Sequence, residues 1–214
     1  MLVAIAGGHG QIALRLARLL ADRGDAARSL IRNPDHAADI RAAGGEPVVC
    51  DLEHAPEAEV AEAIRGADAV VFAAGAGPGS GSERKWTMDY GGAAKLIAAA
   101  KEAGIGRYVM VSSMGADANA PGDDTFSIYL QAKGKADDDL RASGLDFTVV
   151  KPGRLTNDPG TDRVDLAEQV QRGEVTRDDV AAVLAAVLAT PATIGKTAQL
   201  VGGGVPVEEA VKAL

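Results

Sequence analysis

The stretch that decides the fold is "LVAIAGGHGQIALRLARLL", residues 2–20. Its first five residues are apolar and are followed by two glycines, which is typical of a short buried strand. Ile12, Leu16, Leu19 and Leu20 then recur at the spacing of one helix face. The stretch therefore predicts a strand, a glycine turn and a helix, in that order.

The same alternation of apolar runs and helical patterns continues along the chain. Further strands are predicted at "ARSLIR", "EPVVC" (46–50), "AVVFAA" (69–74), "RYVMVSS" (107–113), "DFTVVK" (146–151) and "AQLVGG". Strands that are apolar throughout and separated by helices predict a parallel sheet covered on both faces. Because crossovers are right-handed, we expect an α/β fold with a doubly wound parallel sheet and a ligand crevice at the carboxyl ends of its strands.

The chain shows no linker, repeat or break in composition, which predicts a single domain over residues 1–214. "GAGPGSGS" (75–82) holds four glycines and predicts a loop. Residues 152–173 have the weakest periodicity, so we assign them to a small cap over the substrate pocket. Thr176 and Asp179 form a plausible capping pair at the start of a later helix.

Composition excludes several classes of protein. The 214 residues carry a net charge of −8 with a pI near 4.9, which argues against nucleic-acid binding because phosphate contacts need a clustered basic surface. Cysteine occurs once, and no apolar run approaches the roughly 20 residues that span a bilayer. We expect a cytoplasmic protein with no membrane partner. Cys50 and His54 lack a third ligand, so we expect no metal site.

The glycine turn "GGHGQIA" (7–13) has the spacing G-x-x-G-x-x-A. Gly7 and Gly10 permit a tight turn and a close backbone approach to a pyrophosphate, which then lies at the helix N-terminus formed by Gln11 and Ile12. The alternative is an ordinary glycine turn. Because the turn opens the first strand–helix unit, we predict a dinucleotide-binding site at these four residues.

The residue at the end of the second strand bears on the choice of dinucleotide. An acid there would hold the ribose 2′-hydroxyl of NAD(H), whereas a basic residue accommodates the 2′-phosphate of NADP(H). The sequence has Arg32 at this place, so NADP(H) is the preferred cofactor and NAD(H) remains possible. Arg32 could also be a solvated surface residue. Asp51 and Leu52 end the third strand and are candidates for the adenine side, although Asp51 could instead cap the next helix.

These motifs resemble those of atypical short-chain dehydrogenases/reductases, the NAD(P)H-binding kind that includes biliverdin/flavin reductase-like proteins. The resemblance covers nearly the whole chain and rests on "GGHGQIA", "LIRNP", "AGAG", "RYVMVSS", "AKGKADDDLRASGLDFTVVKPGRL" and "TRDDVAAVL". It implies a Rossmann fold with the nicotinamide over the ends of strands four to six. The site residues that it implies are Ala73, Ala74 and Gly75 beside the cofactor ribose, Ser112 and Ser113 near the reacting ring, Tyr129 and Lys133 as the family's Tyr-x-x-x-Lys, and Lys151, Pro152 and Gly153 as a pocket wall.

The resemblance implies a reaction in which Tyr129 gives a proton to the substrate oxygen that gains charge on hydride transfer. A phenol is a poor acid at neutral pH unless a nearby ammonium stabilises its anion, and Lys133 could do this while holding the ribose hydroxyls. A serine hydroxyl would orient the substrate. Lys151 departs from the family's arginine and loses its planar fork. Tyr129 could instead be a mere wall of the pocket.

The leading hypothesis is an NADPH-dependent reductase of a small carbonyl, quinone, flavin or related conjugated acceptor. One alternative is an NADP(H)-binding redox sensor without catalysis, and a third is a nucleotide-sugar epimerase or dehydratase, for which we expect the chain to be too short. The partner is a small-molecule substrate, and the chain is a monomer or a homodimer. We expect His9 to be idle in the turn, and Asp137 to Asp139 to form a solvated helix face.

Overall fold

A computed structural model of the chain describes residues 1–77 and 79–214. Within them, nine strands form one sheet and two short strands form a second. The strands of the main sheet are β1 (Leu2–Ala6), β2 (Ala26–Ile31), β3 (Glu46–Val49), β4 (Ala69–Phe72), β5 (Arg107–Val111), β6 (Asp146–Pro152), β8 (Arg163–Ala167), β10 (Lys196–Gly202) and β11 (Val205–Pro206). The small sheet pairs β7 (Arg154–Thr156) with β9 (Glu174–Thr176).

The order of the main sheet is β11-β8-β10-β6-β5-β4-β1-β2-β3. All pairs from β10 to β3 are parallel, and β8 and β11 extend the β10 edge in antiparallel fashion. The chain winds outward from β1 to β3 and then crosses to β4 on the other side of β1. This reversal between β1 and β4 is the topological switch point, where open α/β sheets form a ligand crevice.

Helices cover both faces of the sheet and bury two separate apolar cores. The helices are α1 (Gln11–Asp22), α2 (Ala37–Ala42), α3 (Glu57–Ile64), α4 (Ser82–Arg84), α5 (Gly91–Glu102), α6 (Thr125–Ala142), α7 (Arg177–Ala189) and α8 (Val207–Lys212). Residues of α1, α7 and α8 pack on one face, and residues of α3, α5 and α6 pack on the other. The predicted doubly wound α/β fold is confirmed.

Between α4 and α5 the chain forms a short π-helix, Lys85–Tyr90, which lies along α6. The hydroxyl oxygen of Thr176 accepts a hydrogen bond from the backbone N–H of Asp179 at the start of α7, which confirms the predicted capping pair. The predicted loop 75–82 contains Pro78, which lies outside the described residues. No helix in the ranges described is long and apolar enough to cross a membrane.

The predicted cap, residues 152–173, holds structure that its weak periodicity did not indicate. β7 begins near the start of this segment, at Arg154. β8 pairs with β10 and so belongs to the main sheet. Val164 is the buried residue of β8, and the strand's other residues are exposed or half-buried. A role of this segment in covering a substrate stays a prediction.

Candidate functional site

A cavity of about 530 Å³ lies at the switch point, between the ends of β1, β2, β3 and β4. It contains most of the residues predicted to bind the cofactor, namely Gly7, Gly10, Gln11, Ile12, Arg32, Asp51, Leu52, Ala73, Ala74 and Gly75. We call this cavity the crevice. The predicted residues Lys133, Lys151, Pro152 and Gly153 are not among those that line it.

The glycine turn packs tightly against the ends of two neighbouring strands. Gly7 has a φ of 78°, and a Cβ built on it would lie 2.6 Å from the Cα of Ala74. A Cβ on Gly8 would lie 2.5 Å from the Cβ of Ser29. These two positions therefore require glycine. α1 begins directly after Gly10, and no side chain caps it, so its first N–H groups face the crevice as an anion site.

The rim of the crevice beside β2 carries a free guanidinium. Arg32 is exposed, and in the described ranges no carboxylate forms an ion pair with it. Beside it, the His36 ring stacks on the His9 ring with centroids 3.6 Å apart. The His9 Nε2 lies 2.7 Å from Asp39 Oδ2. His9 is thus held in place by these two contacts, and the expectation that it takes no part in catalysis stays a prediction.

Asp51 lies at the end of β3, on the crevice wall. Burial by itself would raise its pKa, but hydrogen bonds from the His54 ring and from the Glu53 backbone N–H outweigh burial and lower the pKa. Asp51 is therefore a carboxylate at neutral pH. It does not cap the next helix, because the N-cap residue of α3 is Pro56.

Two crevice arginines were not predicted from the sequence. Arg84 of α4 pairs with Glu53 at 3.0 Å, and Arg177 at the start of α7 donates to the Asn157 side-chain oxygen at 2.9 Å. Both lie far along the chain from the glycine turn, so no local motif marks them. Together with Arg32 they place three arginines on the lining of the crevice, in a protein whose net charge is −8.

Lys133 is almost fully buried on α6 beneath the ends of β4 and β5. Its Nζ donates to the backbone oxygens of Val111 at 3.2 Å and Ala74 at 3.4 Å. It also lies 3.6 Å from the Oδ1 of Asp89, which is 1% exposed. Asp89, in the π-helix, additionally accepts a hydrogen bond from the Ala76 N–H. Lys133 therefore lies beside the strand end that was predicted to pass the cofactor ribose, but its charge is balanced by a carboxylate that we did not predict.

Tyr129 is half-buried one turn before Lys133. The exposed ring of Phe126 stacks on it with centroids 6.0 Å apart. The cation over its ring is Lys85 of the π-helix, whose Nζ lies 5.6 Å from the ring centroid. Lys85 also donates to the Gly77 oxygen, so it connects the glycine loop to Tyr129. In the described residues Lys133 forms its hydrogen bonds and its ion pair with Ala74, Val111 and Asp89, and none of them with Tyr129.

The two predicted serines differ in their surroundings. Ser112 directly follows β5 and is 5% exposed, and its hydroxyl donates to Asp137 Oδ2 at 2.8 Å. Ser113 is half-buried, and its hydroxyl lies 3.4 Å from the oxygen of Met114. Asp137 is fully buried on α6, so the prediction that it belongs to a solvated face is wrong.

Lys151 lies next to Ser112 and Asp137, outside the crevice. Its Nζ is 3.0 Å from Asp137 Oδ2 and donates to the Ala116 oxygen. Burial raises the pKa of Asp137, and the Lys151 charge and the hydrogen bond from Ser112 oppose that rise. Pro152 is buried, and a Cβ on Gly153 would lie 2.3 Å from the Gly173 oxygen. The "KPG" stretch is thus tightly packed where β6 ends.

Comparison with known proteins agrees with this geometry. A family model described as NAD(P)H-binding matches residues 7–191. The chain belongs to this NAD(P)H-binding family. The match spans the glycine turn, the crevice and α6, and it confirms the resemblance that the sequence motifs indicated.

Three relatives match the chain over essentially its whole length. A Bacillus subtilis protein named as an uncharacterized sugar epimerase, YhfK, is 40% identical over 215 residues, with 100% of both chains covered. A Bacillus halodurans structure, named as an NAD-dependent epimerase/dehydratase, has a TM-score of 0.93 at 36% identity and covers 100% of both chains. The oxidoreductase ylbE of Lactococcus lactis has a TM-score of 0.88 at 25% identity, covering 100% of this chain and 96% of its own. Chain length therefore does not separate the reductase from the epimerase hypothesis.

Proposed function

We propose that the protein is an NADPH-dependent reductase that transfers hydride to a small carbonyl, quinone, flavin or related conjugated acceptor. The observation that carries the proposal is the crevice, where the exposed guanidinium of Arg32 lies at the end of β2 and a glycine turn opens onto the N-terminus of α1. We further propose a cytoplasmic location and a monomeric or homodimeric state.

The residues present fit NADPH. Gly7, Gly10, Gln11 and Ile12 would hold the pyrophosphate through backbone N–H groups, and Arg32 would hold the 2′-phosphate through its guanidinium. Asp51 and Leu52 would lie along the adenosine. Ala73, Ala74 and Gly75 would border the ribose on the nicotinamide side, above the buried ammonium of Lys133. When bound, NADPH supplies a hydride.

The chain's own part in the reaction is to supply a proton and to orient the acceptor. Tyr129 would give its phenolic proton to the acceptor oxygen, and the Lys85 ammonium over its ring would stabilise the phenolate that results. Lys133 would support this site from beneath the end of β4, where its ammonium donates to the backbone oxygen of Ala74. Ser112 and Ser113 would orient the acceptor beside β5, and Lys151, Pro152 and Gly153 would support that wall from the end of β6.

The test is NADPH oxidation, followed by absorbance, against a panel of quinones, flavins and aldehydes. We expect Tyr129→Phe to lower turnover roughly a hundredfold, as for loss of a general acid. Tyr90→Phe is the matched control, because it removes the same hydroxyl from a ring that Lys135 covers on the outer side of α6. Equal turnover of wild type and Tyr129→Phe would leave the reductase proposal standing but would show that Tyr129 is not the proton donor. Tight NADPH binding without turnover on any acceptor would favour the redox sensor.

A nucleotide-sugar epimerase is the second candidate, and the names of two relatives of matching length favour it. An epimerase returns its cofactor to the starting redox state, so it interconverts sugars without net NADPH oxidation. Incubation with UDP-glucose and a trace of NAD⁺ or NADP⁺, followed by chromatography of the sugars, separates the two. Appearance of the epimer would replace the reductase proposal.

A further inference from the structure

The buried carboxyl group of Asp137, which joins Ser112 to Lys151, has no place in the chemistry proposed above. The Asp137 side chain has no exposed surface, and its Oδ1 has no hydrogen-bond partner in the described residues. Its Oδ2 lies 2.8 Å from the Ser112 hydroxyl and 3.0 Å from the Lys151 Nζ. A buried carboxyl with a free oxygen is costly, because a lost hydrogen bond is not replaced by water.

These three side chains determine which way the Ser112 hydrogen bond runs. A serine hydroxyl carries one proton and two lone pairs, an ammonium can only donate, and an ionised carboxylate can only accept. With Lys151 beside it, Asp137 accepts from both neighbours. The single proton of Ser112 is then used inside the protein, and only its lone pairs remain for anything that binds at the end of β5.

We propose that Asp137 is a positioning residue that makes Ser112 a hydrogen-bond acceptor toward the ligand. The ligand group that Ser112 takes is then a donor, such as the hydroxyl of an alcohol, a sugar or a hydroquinone, or an amide N–H. A carbonyl oxygen would find no hydrogen-bond donor at Ser112 and would have to accept its hydrogen bond from Tyr129. The inference rests on the proposed function, because that is what places Ser112 beside the reacting groups.

The charged groups that face Asp137 come from two elements. Lys151 reaches it from β6, and Arg141 lies one turn further along α6 and acts on it through charge. Ser112, from the end of β5, is uncharged. Burial raises the pKa of Asp137, and Lys151 supplies the nearest positive charge that opposes this rise.

The direction of the hydrogen bond between Ser112 and Asp137 can be determined from the titration of Asp137 in the ligand-free protein. The infrared band of the protonated carboxyl is assigned as the one missing in Asp137→Asn, and its pH midpoint is compared in wild type and Ser112→Ala. If Ser112 donates, its removal disfavours the carboxylate and the midpoint rises by about one pH unit. Ser113→Ala is the matched control and leaves the midpoint unchanged, since its hydroxyl faces Met114. An unchanged or lower midpoint in Ser112→Ala overturns the proposal.

The consequence for the ligand is tested with 1-phenylethanol and acetophenone, an alcohol and its ketone. Asp137→Ala removes the oxygen that accepts the Ser112 proton and so frees that proton for a ligand. We expect the affinity ratio of ketone to alcohol, in the NADP⁺ complex, to rise about tenfold over wild type. An unchanged ratio in a folded Asp137→Ala protein contradicts the inference. The infrared result needs no turnover, so failure of the reductase assay and failure of this inference remain distinguishable.

Discussion

Arg32 is the residue on which the choice of cofactor depends. Its side chain is exposed at the end of β2 and lines the crevice, and a guanidinium–phosphate contact is worth about 1.5–3 kcal/mol. We expect Arg32→Ala to lower kcat/KM for NADPH by about ten- to a hundredfold and to leave the value for NADH nearly unchanged. Steady-state kinetics with both cofactors provide the measurement. Arg41→Ala removes an equally exposed arginine from α2, outside the crevice, and an equal loss there would show a general charge effect.

Single residues were predictable from the sequence where the backbone itself makes the site. The glycines and the strand ends line the crevice because tight turns and parallel strands leave little freedom. Asp137 was misread because three consecutive acids suggest solvent. Its spacing of four from Lys133 and three from Leu140 places all three on one helix face, and this signal could have indicated burial. The pairing of Lys133 with Asp89 joins two elements, so no local pattern could reveal it.

At the scale of elements, the strands that are apolar runs were found, and the short, partly polar strands that follow β6 were missed. β1, β4 and β5 are continuous apolar runs and were predicted to within a few residues. β8 and β9 are short and partly polar, so their sequences resemble loops. Each of them buries one residue, and periodicity then carries too little information to identify a strand.

α6 carries Tyr129 and Lys133, and Gly134 sets how closely it approaches the preceding loop. Alanine normally favours a helix over glycine by about 1 kcal/mol. Here a Cβ on Gly134 would lie 2.2 Å from the Ala118 backbone nitrogen and 2.2 Å from the Asp117 carbonyl carbon. Because backbone atoms cannot rotate away, we expect Gly134→Ala to reduce the free energy of unfolding by about 1–3 kcal/mol and also to lower turnover.

Urea unfolding and NADPH turnover measure the two effects of Gly134→Ala. Gly81→Ala is the matched control, since that position has a φ of −64° and no heavy atom within 4 Å of its built Cβ. A Gly134→Ala protein as stable as wild type would mean that the loop at residues 117–118 yields at little cost.

Glu53 joins the loop after β3 to α4 and the π-helix. Burial would raise its pKa, but hydrogen bonds from Thr87 and Arg84 and the charge of Arg84 outweigh burial and lower the pKa below its ordinary value of 4.5. In the acid range the unfolded chain therefore binds more protons at Glu53 than the folded one does. The stabilisation is complete above the ordinary pKa and is lost as the pH falls through the lowered one.

We expect Glu53→Gln to reduce the free energy of unfolding by about 1–3 kcal/mol at pH 7 and by much less at pH 3. Urea unfolding at both pH values provides the measurement. Glu62→Gln removes an exposed carboxylate paired with Arg65, and we expect little change at either pH. A loss of equal size at pH 3 and pH 7 in Glu53→Gln would assign its effect to packing instead of charge.

At the scale of the whole molecule, the crevice joins parts of the chain that are far apart in sequence. Its walls come from the turn after β1, the loop after β4 and, through Arg177, the start of α7. A ligand bound there contacts both halves of the sheet, so it should stabilise the domain as one unit instead of a single element. NADP⁺ at a hundredfold excess over its Kd should add about 2.7 kcal/mol to the free energy of unfolding.

For a chain of this size, that gain corresponds to a rise in Tm of about 5–10 °C, which thermal denaturation followed by circular dichroism can measure. NAD⁺ at the same concentration should give a smaller rise because it has no 2′-phosphate for Arg32, and the two rises should converge in Arg32→Ala. A DNA duplex should give none, as expected for a net charge of −8. Equal rises with NADP⁺ and NAD⁺ in wild type would remove the cofactor preference and leave the crevice as a site for either dinucleotide. The absence of any rise would contradict the cofactor site itself, because a ligand that binds the folded state alone must raise Tm.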